Sequence, residues 1–498
     1  MTPRALSAAC LVVAAICTQL PAQPASSEAV IDDVAARVEL ERLIANGKGP
    51  GFAVAIVDAR GPRIILAGEA SAGIPVTERT QFEIGSITKP LTATLIARLA
   101  DRGVLSLDDP LSRWLPETLQ RPEGIGPITL RELLTHTSGL PRIPSQREFF
   151  VSMALDPQDP YAAYAESELL AYLGGLKRES SLPAAFAYSN LGYATLGLVA
   201  ERATGRGYAD LLEELVLRPA GIQRAQLEAT PALAAPHDAR GRVVKPWHLR
   251  AFASAGAVRL DGRDLLVLLD AAMHRRAPFR AEDFAAQAER PAGGGRSVAL
   301  GWMRRDTDDD ADTLIWHDGA TGGFHSFIGF RDRRGVGVAA LVNSTYEVDN
   351  LVLHLLDPSW PIDVPPRLDA IAWLFLAMAA LFALTVLTSG LSIDNATATG
   401  WRRIGRRVGQ SSRVGVLGAV VWCAYAASAL WVIGAEQGWP GWASGFAAVC
   451  VAIAILAALQ IWTRLPWWPH GPRRALRIGG LCCSVLLGSL MIAGTLLA

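Results

Sequence analysis

Phe82-Glu-Ile-Gly-Ser-Ile-Thr-Lys89 carries a serine and a lysine three residues apart as the chain enters the helix-periodic segment Thr88–Asp101. Residues three apart on a helix share a face, so the Ser86 hydroxyl and the Lys89 ammonium can meet. A serine hydroxyl is a weak nucleophile until a base takes its proton, and a desolvated lysine can serve as that base. A serine at the helix start also points its backbone N–H where an oxyanion would develop. The same two residues also fit an N-cap beside a surface lysine. Lysine is scarce, however: Lys48, Lys89, Lys177 and Lys245 are all there are, and only Lys89 has a serine three residues before it.

Working outward, Gly51–Val57 and Arg63–Ala67 read as paired strands separated by the turn residues Asp58, Gly61 and Pro62. Leu191–Thr204 has helical period and closes at Gly205. Thr313–His317, Ser326–Phe330 and Val336–Asn343 read as three consecutive strands, with a final helix over Glu347–Leu356. Asp306–Asp312 reads as an acidic, solvated loop. The order predicts an α/β sheet made from both chain ends, with a helical insert between them.

Two further groups carry candidate chemistry. Tyr188-Ser-Asn190 precedes the Leu191 helix; a tyrosine there can relay a proton and the Asn190 amide can hold a substrate carbonyl. His317-Asp-Gly319-Ala320 ends a strand; a glycine there admits close backbone approach by a substrate, and the Ala320 N–H can serve as a second oxyanion donor. Each alone also fits an ordinary packing role. The eight histidines are scattered and form no His-Glu-x-x-His pattern, so neither a metal nor a cofactor is expected.

In this order the three groups resemble the serine β-lactamase and penicillin-binding peptidase family, in its class C-like branch. Phe82-Glu-Ile-Gly-Ser86, Ile128-Thr-Leu-Arg-Glu-Leu-Leu-Thr-His-Thr-Ser-Gly139-Leu and Tyr188-Ser-Asn-Leu-Gly-Tyr-Ala-Thr-Leu-Gly197 are similar to phrases of that branch. The resemblance covers about residues 35 to 357. It implies a β-lactamase/DD-peptidase-like domain, with an antiparallel sheet flanked by helices and a helical insert. It also implies two-step acyl transfer, with Ser86 as nucleophile, Lys89 and Tyr188 managing its proton, and Asn190, His317, Gly319 and Ala320 binding substrate. Thr135–Gly139 would be a structural turn, which gives His136 no catalytic role. His317-Asp-Gly319 stands where β-lactamases carry Lys-Thr-Gly, and a histidine holds a carboxylate weakly near neutral pH. Neutral amides or esters should therefore turn over at least as well as carboxylate-bearing substrates, with any preference for anions emerging only as pH falls through ~6.5. Ala255-Gly256-Ala257 is a small deviation near the cleft.

The chain of 498 residues is 51% hydrophobic, with a mean hydropathy of +0.25, greasier than a soluble enzyme of this size. Residues 1–25 read as a signal peptide: one early arginine, an apolar core from Ala5 to Cys17, then small residues. After the body at 26–365, the segment 366–498 holds apolar stretches at about 368–387, 414–433, 442–461 and 478–498, each near the ~20 residues that cross a bilayer as helix. Arg402, Arg403, Arg406, Arg407 and Arg413 follow the first, and Arg464, Arg473, Arg474 and Arg477 the third. The positive-inside rule makes both loops cytoplasmic and places the body outside, at an inner membrane with a periplasmic hydrolase domain. The layout also resembles the membrane-bound peptidase that matures colibactin.

The formal net charge is zero. The C-terminal third is basic and the body mildly acidic, with no footprint for nucleic acid. Cys10, Cys17, Cys423, Cys450, Cys482 and Cys483 leave the body without cysteine, hence without a disulfide framework. The expected partners are a small peptide-like or acyl substrate and the lipid bilayer; oligomeric state is not encoded legibly. Three readings remain open: a peptidase acting at a D-residue, a β-lactamase or broad esterase using the same residues, and a membrane sensor that is acylated or merely docks a ligand.

Overall fold

Gly51–Val57 is apolar throughout, and a strand of that composition needs cover on both faces. In the computed structural model, which describes residues 30–117, 128–145, 156–176, 186–287, 296–306 and 312–362 with a few isolated positions besides, this run is strand β1 and is buried along its whole length. Its neighbours come from opposite ends of the domain. β2 (Arg63–Ser71) follows it by a short turn and pairs antiparallel with it. On its other side lies β10 (Val336–Val342), with Phe52 opposite Val342 and Val57 opposite Gly337.

Adding β3 (Ile74–Pro75), β6 (Arg296–Val298), β7 (Met303–Asp306), β8 (Thr313–Ala320) and β9 (His325–Arg331) gives an eight-stranded sheet in the order β3-β2-β1-β10-β9-β8-β7-β6. Every pairing in it is antiparallel. A separate two-stranded ladder joins β4 (Gln81–Glu83) to β5 (Arg259–Asp261).

The period of two along β1 divides the core. Phe52, Val54 and Ile56 face one hydrophobic cluster with Leu40 and Leu43 of helix α1 (Asp33–Ala45) and with residues from the other end of the domain. Ala53, Ala55 and Val57 face a second, larger cluster. The small alanines let a helix lie close: a methyl on Gly262 would sit 3.6 Å from the Ala53 methyl. The larger cluster includes α2 (Thr88–Asp101), α3 (Asn190–Thr204) and α4 (Gly262–Met273). Burying each Val, Ile or Phe of these strands contributes about 1.5–3 kcal/mol. The first cluster is closed by α5 (Asp349–Leu356), which brings Leu351, Val352 and Leu356 onto β9 and β10.

The expected strands all appear, most of them longer than their apolar runs. β2 continues to Ser71 and β8 to Ala320, because ladder pairing carries on through polar residues. The acidic loop is corrected at one end. Asp312 is buried and takes a charge-assisted bond from Arg331 Nε at 2.8 Å, both side chains being 5% exposed. Among the described residues no helix is long and apolar enough to cross a membrane. The expected signal segment 1–25 and the spans near 368–387, 414–433, 442–461 and 478–498 lie outside the described residues.

Candidate active site

The chain leaves β4 into a 3₁₀ turn, Gly85–Ile87, before α2 begins at Thr88. Ser86 thus sits in a tight turn ahead of the helix rather than in its first α-helical residue. Two glycines fix how that turn meets the end of β8. Gly85 has φ +49°, and a methyl there would lie 2.7 Å from the Ala320 nitrogen. A methyl on Gly319 would lie 2.1 Å from the Ile84 carbonyl oxygen and 2.9 Å from the Ser86 nitrogen. Gly319 is therefore required by the approach of the serine turn. The seam is stapled by Ser326, whose hydroxyl donates to the Ile84 carbonyl at 2.8 Å. The backbone nitrogens of Ser86 and Ala320 lie along it.

Lys89 is completely buried among the first turns of α2. Its Nζ lies 2.8 Å from Ser86 Oγ and donates to the Ala255 carbonyl at 2.7 Å. Burial drives its pKa well below the ordinary lysine value of 10.5; Asp318 opposes that shift and Arg142 adds to it. Burial thus favours the neutral amine, whose lone pair, 2.8 Å from a half-buried serine hydroxyl, can take that proton.

Tyr188 completes the group. Its hydroxyl lies within hydrogen-bonding reach of Ser86, and burial raises its pKa above the usual tyrosine range. Lys89 Nζ stands 4.9 Å from the centre of its ring. Behind the ring is His136, centroids 4.5 Å apart and planes 31° from parallel. Asn190 opens α3 beside it. Its Nδ2 is 3.4 Å from the Tyr161 hydroxyl, and its Oδ1 is buried with no partner among the described residues. Tyr161 and Trp247, 5.4 Å apart, form an aromatic wall next to it.

His317 lies on β8 with its ring 6.3 Å from that of Tyr188. Only 1% exposed, it has its pKa pushed down to about 4 by burial, with Asp318 resisting. Nδ1 stands 2.6 Å from the Asp318 carbonyl, and Nε2 has no partner among the described residues. The expected titration near 6.5 is thus displaced downward, and the ring is neutral at any ordinary working pH.

All seven expected site residues therefore lie at one end of the sheet or at the starts of the helices facing it. Three contributors escaped the sequence. The Ala255 carbonyl holds the lysine, His136 backs the tyrosine, and Glu83 fastens the adjoining loop. Glu83 pairs with Arg259 at 2.8 Å and accepts the Trp247 N–H at 3.0 Å. The Thr135–Gly139 phrase could have pointed to His136, had its place opposite Tyr188 been legible.

A nucleophile-bearing turn, a buried amine and paired backbone N–H groups at a strand end define a serine hydrolase of the acyl-enzyme kind. The chain belongs to the beta-lactamase family, whose pattern matches residues 39–356. It is 30% identical over 353 residues to Esterase EstB of Burkholderia gladioli, an alignment covering 59% of this chain and 86% of that one. It is 25% identical over 359 residues to the D-alanyl-D-alanine-carboxypeptidase/endopeptidase AmpH of Escherichia coli K12, covering 68% and 90%. In fold it is similar to the octameric penicillin-binding protein homologue of Pyrococcus abyssi, with a TM-score of 0.58 at 24% identity, over 66% of this chain and 77% of that one.

Proposed function

We propose that this protein is a membrane-anchored, extracytoplasmic serine hydrolase that cleaves peptide-like amides with a D-configured residue at the scissile bond. The observation that carries the mechanism is the 2.8 Å approach of Ser86 Oγ to the buried Lys89 Nζ. Ser86 Oγ attacks the carbonyl carbon while its proton passes to Lys89. The N–H groups of Ser86 and Ala320 hold the oxyanion. Tyr188, between lysine and cleft, returns a proton to the leaving nitrogen as the C–N bond breaks. Water then repeats the attack on the ester, releasing the acid and restoring the Ser86 hydroxyl. Asn190 holds the acyl-side carbonyl.

Similarity to AmpH, named as a D-alanyl-D-alanine carboxypeptidase, supports the D-residue. The higher identity to EstB favours a second reading, an esterase working through the same acyl-enzyme. A β-lactamase would use the same residues again. Anchoring rests on the four apolar stretches and the arginines between them. A sensor that acylates without turnover is separated from an enzyme by deacylation. The test is labelling of the membrane-inserted protein by a fluorescent fluorophosphonate, followed by turnover of an N-acyl-D-alanyl ester. Ser86→Ala should abolish both while the protein still accumulates; undiminished labelling of that variant would sink the assignment.

A further inference from the structure

On the β8 side of the cleft, His317 is neutral and buried and Asp318 is a half-exposed carboxylate, so this wall offers an anion no cation and some repulsion. Beside the Tyr188 ring, in the loop after Gly139, stands Arg142. Its side chain is exposed and, among the described residues, has neither an acidic partner nor a hydrogen bond. Its guanidinium carbon lies 5.3 Å from the centre of the Tyr188 ring, the same ring that Lys89 Nζ approaches to 4.9 Å. The residue is not loosely placed. Its carbonyl accepts the N–H groups of Asn190 at 3.0 Å and Leu191 at 3.2 Å, which pins it to the start of α3 beside the tyrosine.

We propose that Arg142 anchors a carboxylate on the leaving-group side of the substrate. The inference rests on the serine-hydrolase reading above and names the substrate class for that site. Tyr188 hands its proton to the leaving group, so a cation over the tyrosine ring sits on that side of the scissile bond. A guanidinium offers a carboxylate two parallel N–H donors and keeps its charge at every working pH. The surroundings agree with an anion at this spot. Arg142's charge acts on Lys89, Tyr188 and Tyr161, and a bound carboxylate would join Asp318 in offsetting that positive charge beside the base. Among the described residues, His317 and Asp318 beside this ring supply no competing cation. Indifference to a carboxylate, expected from His317 alone, is replaced by a preference set by Arg142.

The test uses the full-length protein and two thioesters of N-phenylacetylglycine that differ only in the leaving group, D-thiolactate or the neutral D-thiolactamide. The wild type should show a kcat/KM about ten-fold or more higher for the carboxylate substrate, and that ratio should stay constant from pH 5.5 to 8. Arg142→Gln should bring the ratio close to one, and Arg142→Lys should restore part of it. A wild-type ratio near one, or an Arg142→Gln variant that loses activity equally on both thioesters, overturns the proposal. Failure to turn over either thioester, together with no fluorophosphonate labelling of Ser86, would instead defeat the serine-hydrolase reading and carry this inference down with it.

Discussion

His136 grips both neighbours of Tyr188. Its carbonyl accepts the Ala187 N–H at 2.8 Å, its Nδ1 accepts the Ser189 N–H at 3.0 Å, and its ring lies against the phenol between them. It does so with φ +56°, a conformation costly for most side chains but tolerated by Asn. Burial keeps the imidazole neutral, which leaves Nδ1 free to accept. His136→Ala should therefore lose about 2–4 kcal/mol of stability, from the cavity and the orphaned Ser189 N–H. It should also slow acylation, because the ring that backs the tyrosine and the Nδ1 that holds Ser189 are then gone. His136→Asn should recover part of the stability but not the rate. Urea unfolding and the rate of fluorophosphonate labelling measure the two effects; labelling of His136→Ala at the wild-type rate would show that His136 matters only to folding.

Lys89 makes a quantitative stability prediction. Its folded pKa is depressed, so between that value and 10.5 the unfolded chain holds a proton that the folded protein must release. The wild type therefore loses stability as pH falls through this window and regains it as pH rises. Relative to Lys89→Met, it should gain stability as pH rises toward 10.5, by up to about 1.4 kcal/mol per pH unit wherever the unfolded lysine is protonated and the folded one is not. A gap that does not move with pH would mean the lysine stays protonated in the fold, and the base would have to be sought elsewhere.

For His317 the folded pKa of about 4 lies below the ordinary 6.5, again by burial. Below pH 6.5 the unfolded chain takes up a proton that the folded site refuses, so stability falls as pH drops from 6.5 toward 4. Compared with His317→Gln, the wild type should lose about 3 kcal/mol over that interval and nothing above pH 7. An NMR titration of the ring should place its midpoint near 4. A midpoint near 6.5 would reinstate this histidine as a switchable anchor.

The buried Asp312–Arg331 pair is worth most when broken from one side. Asp312→Ala should cost up to about 3–5 kcal/mol, because it takes the nearer carboxylate from a buried guanidinium and leaves Asp357, 3.6 Å from Arg331, to offset the charge. Replacing both partners with apolar residues should cost distinctly less. Equal losses for the single and double variants would show that other contacts, not the uncompensated charge, set the penalty.

Topology can be read by fusion. Alkaline phosphatase joined after Ala498 should be active, and joined near Gly409 inactive, if the arginines at 402–413 are cytoplasmic. The reverse pattern would mean that the spans are miscounted.

What was legible in the sequence was whatever a single segment encodes. Ser86 and Lys89 are neighbours through one turn, and β1 announces itself by seven consecutive apolar or small residues. The features that stayed hidden are made by segments far apart in the chain. The Ala255 carbonyl that receives Lys89 lies 166 residues from it. Gly319 reads as an open strand edge until the Ser86 turn is placed against it. Arg142 and Asp312 carry the same kinds of charge as many surface residues, and only their surroundings separate a lone cation over a tyrosine from a buried half of an ion pair. His317 reads as a weak anchor by residue type, but its depth in the sheet is not written in its neighbours.

The position of β1 has a consequence for the order in which the molecule can come into being. Its partner on one side is made at once, but on the other side Phe52 must wait for Val342. Until then an apolar strand shows a bare row of N–H and C=O groups, an invitation to pair with any other nascent chain. Pairing over that separation is slow to nucleate. A nascent chain must therefore be kept apart from its neighbours for nearly the whole length of the domain. A polypeptide interrupted between α2 and β8 possesses Ser86 and Lys89, yet has nothing to hold them against Ala320.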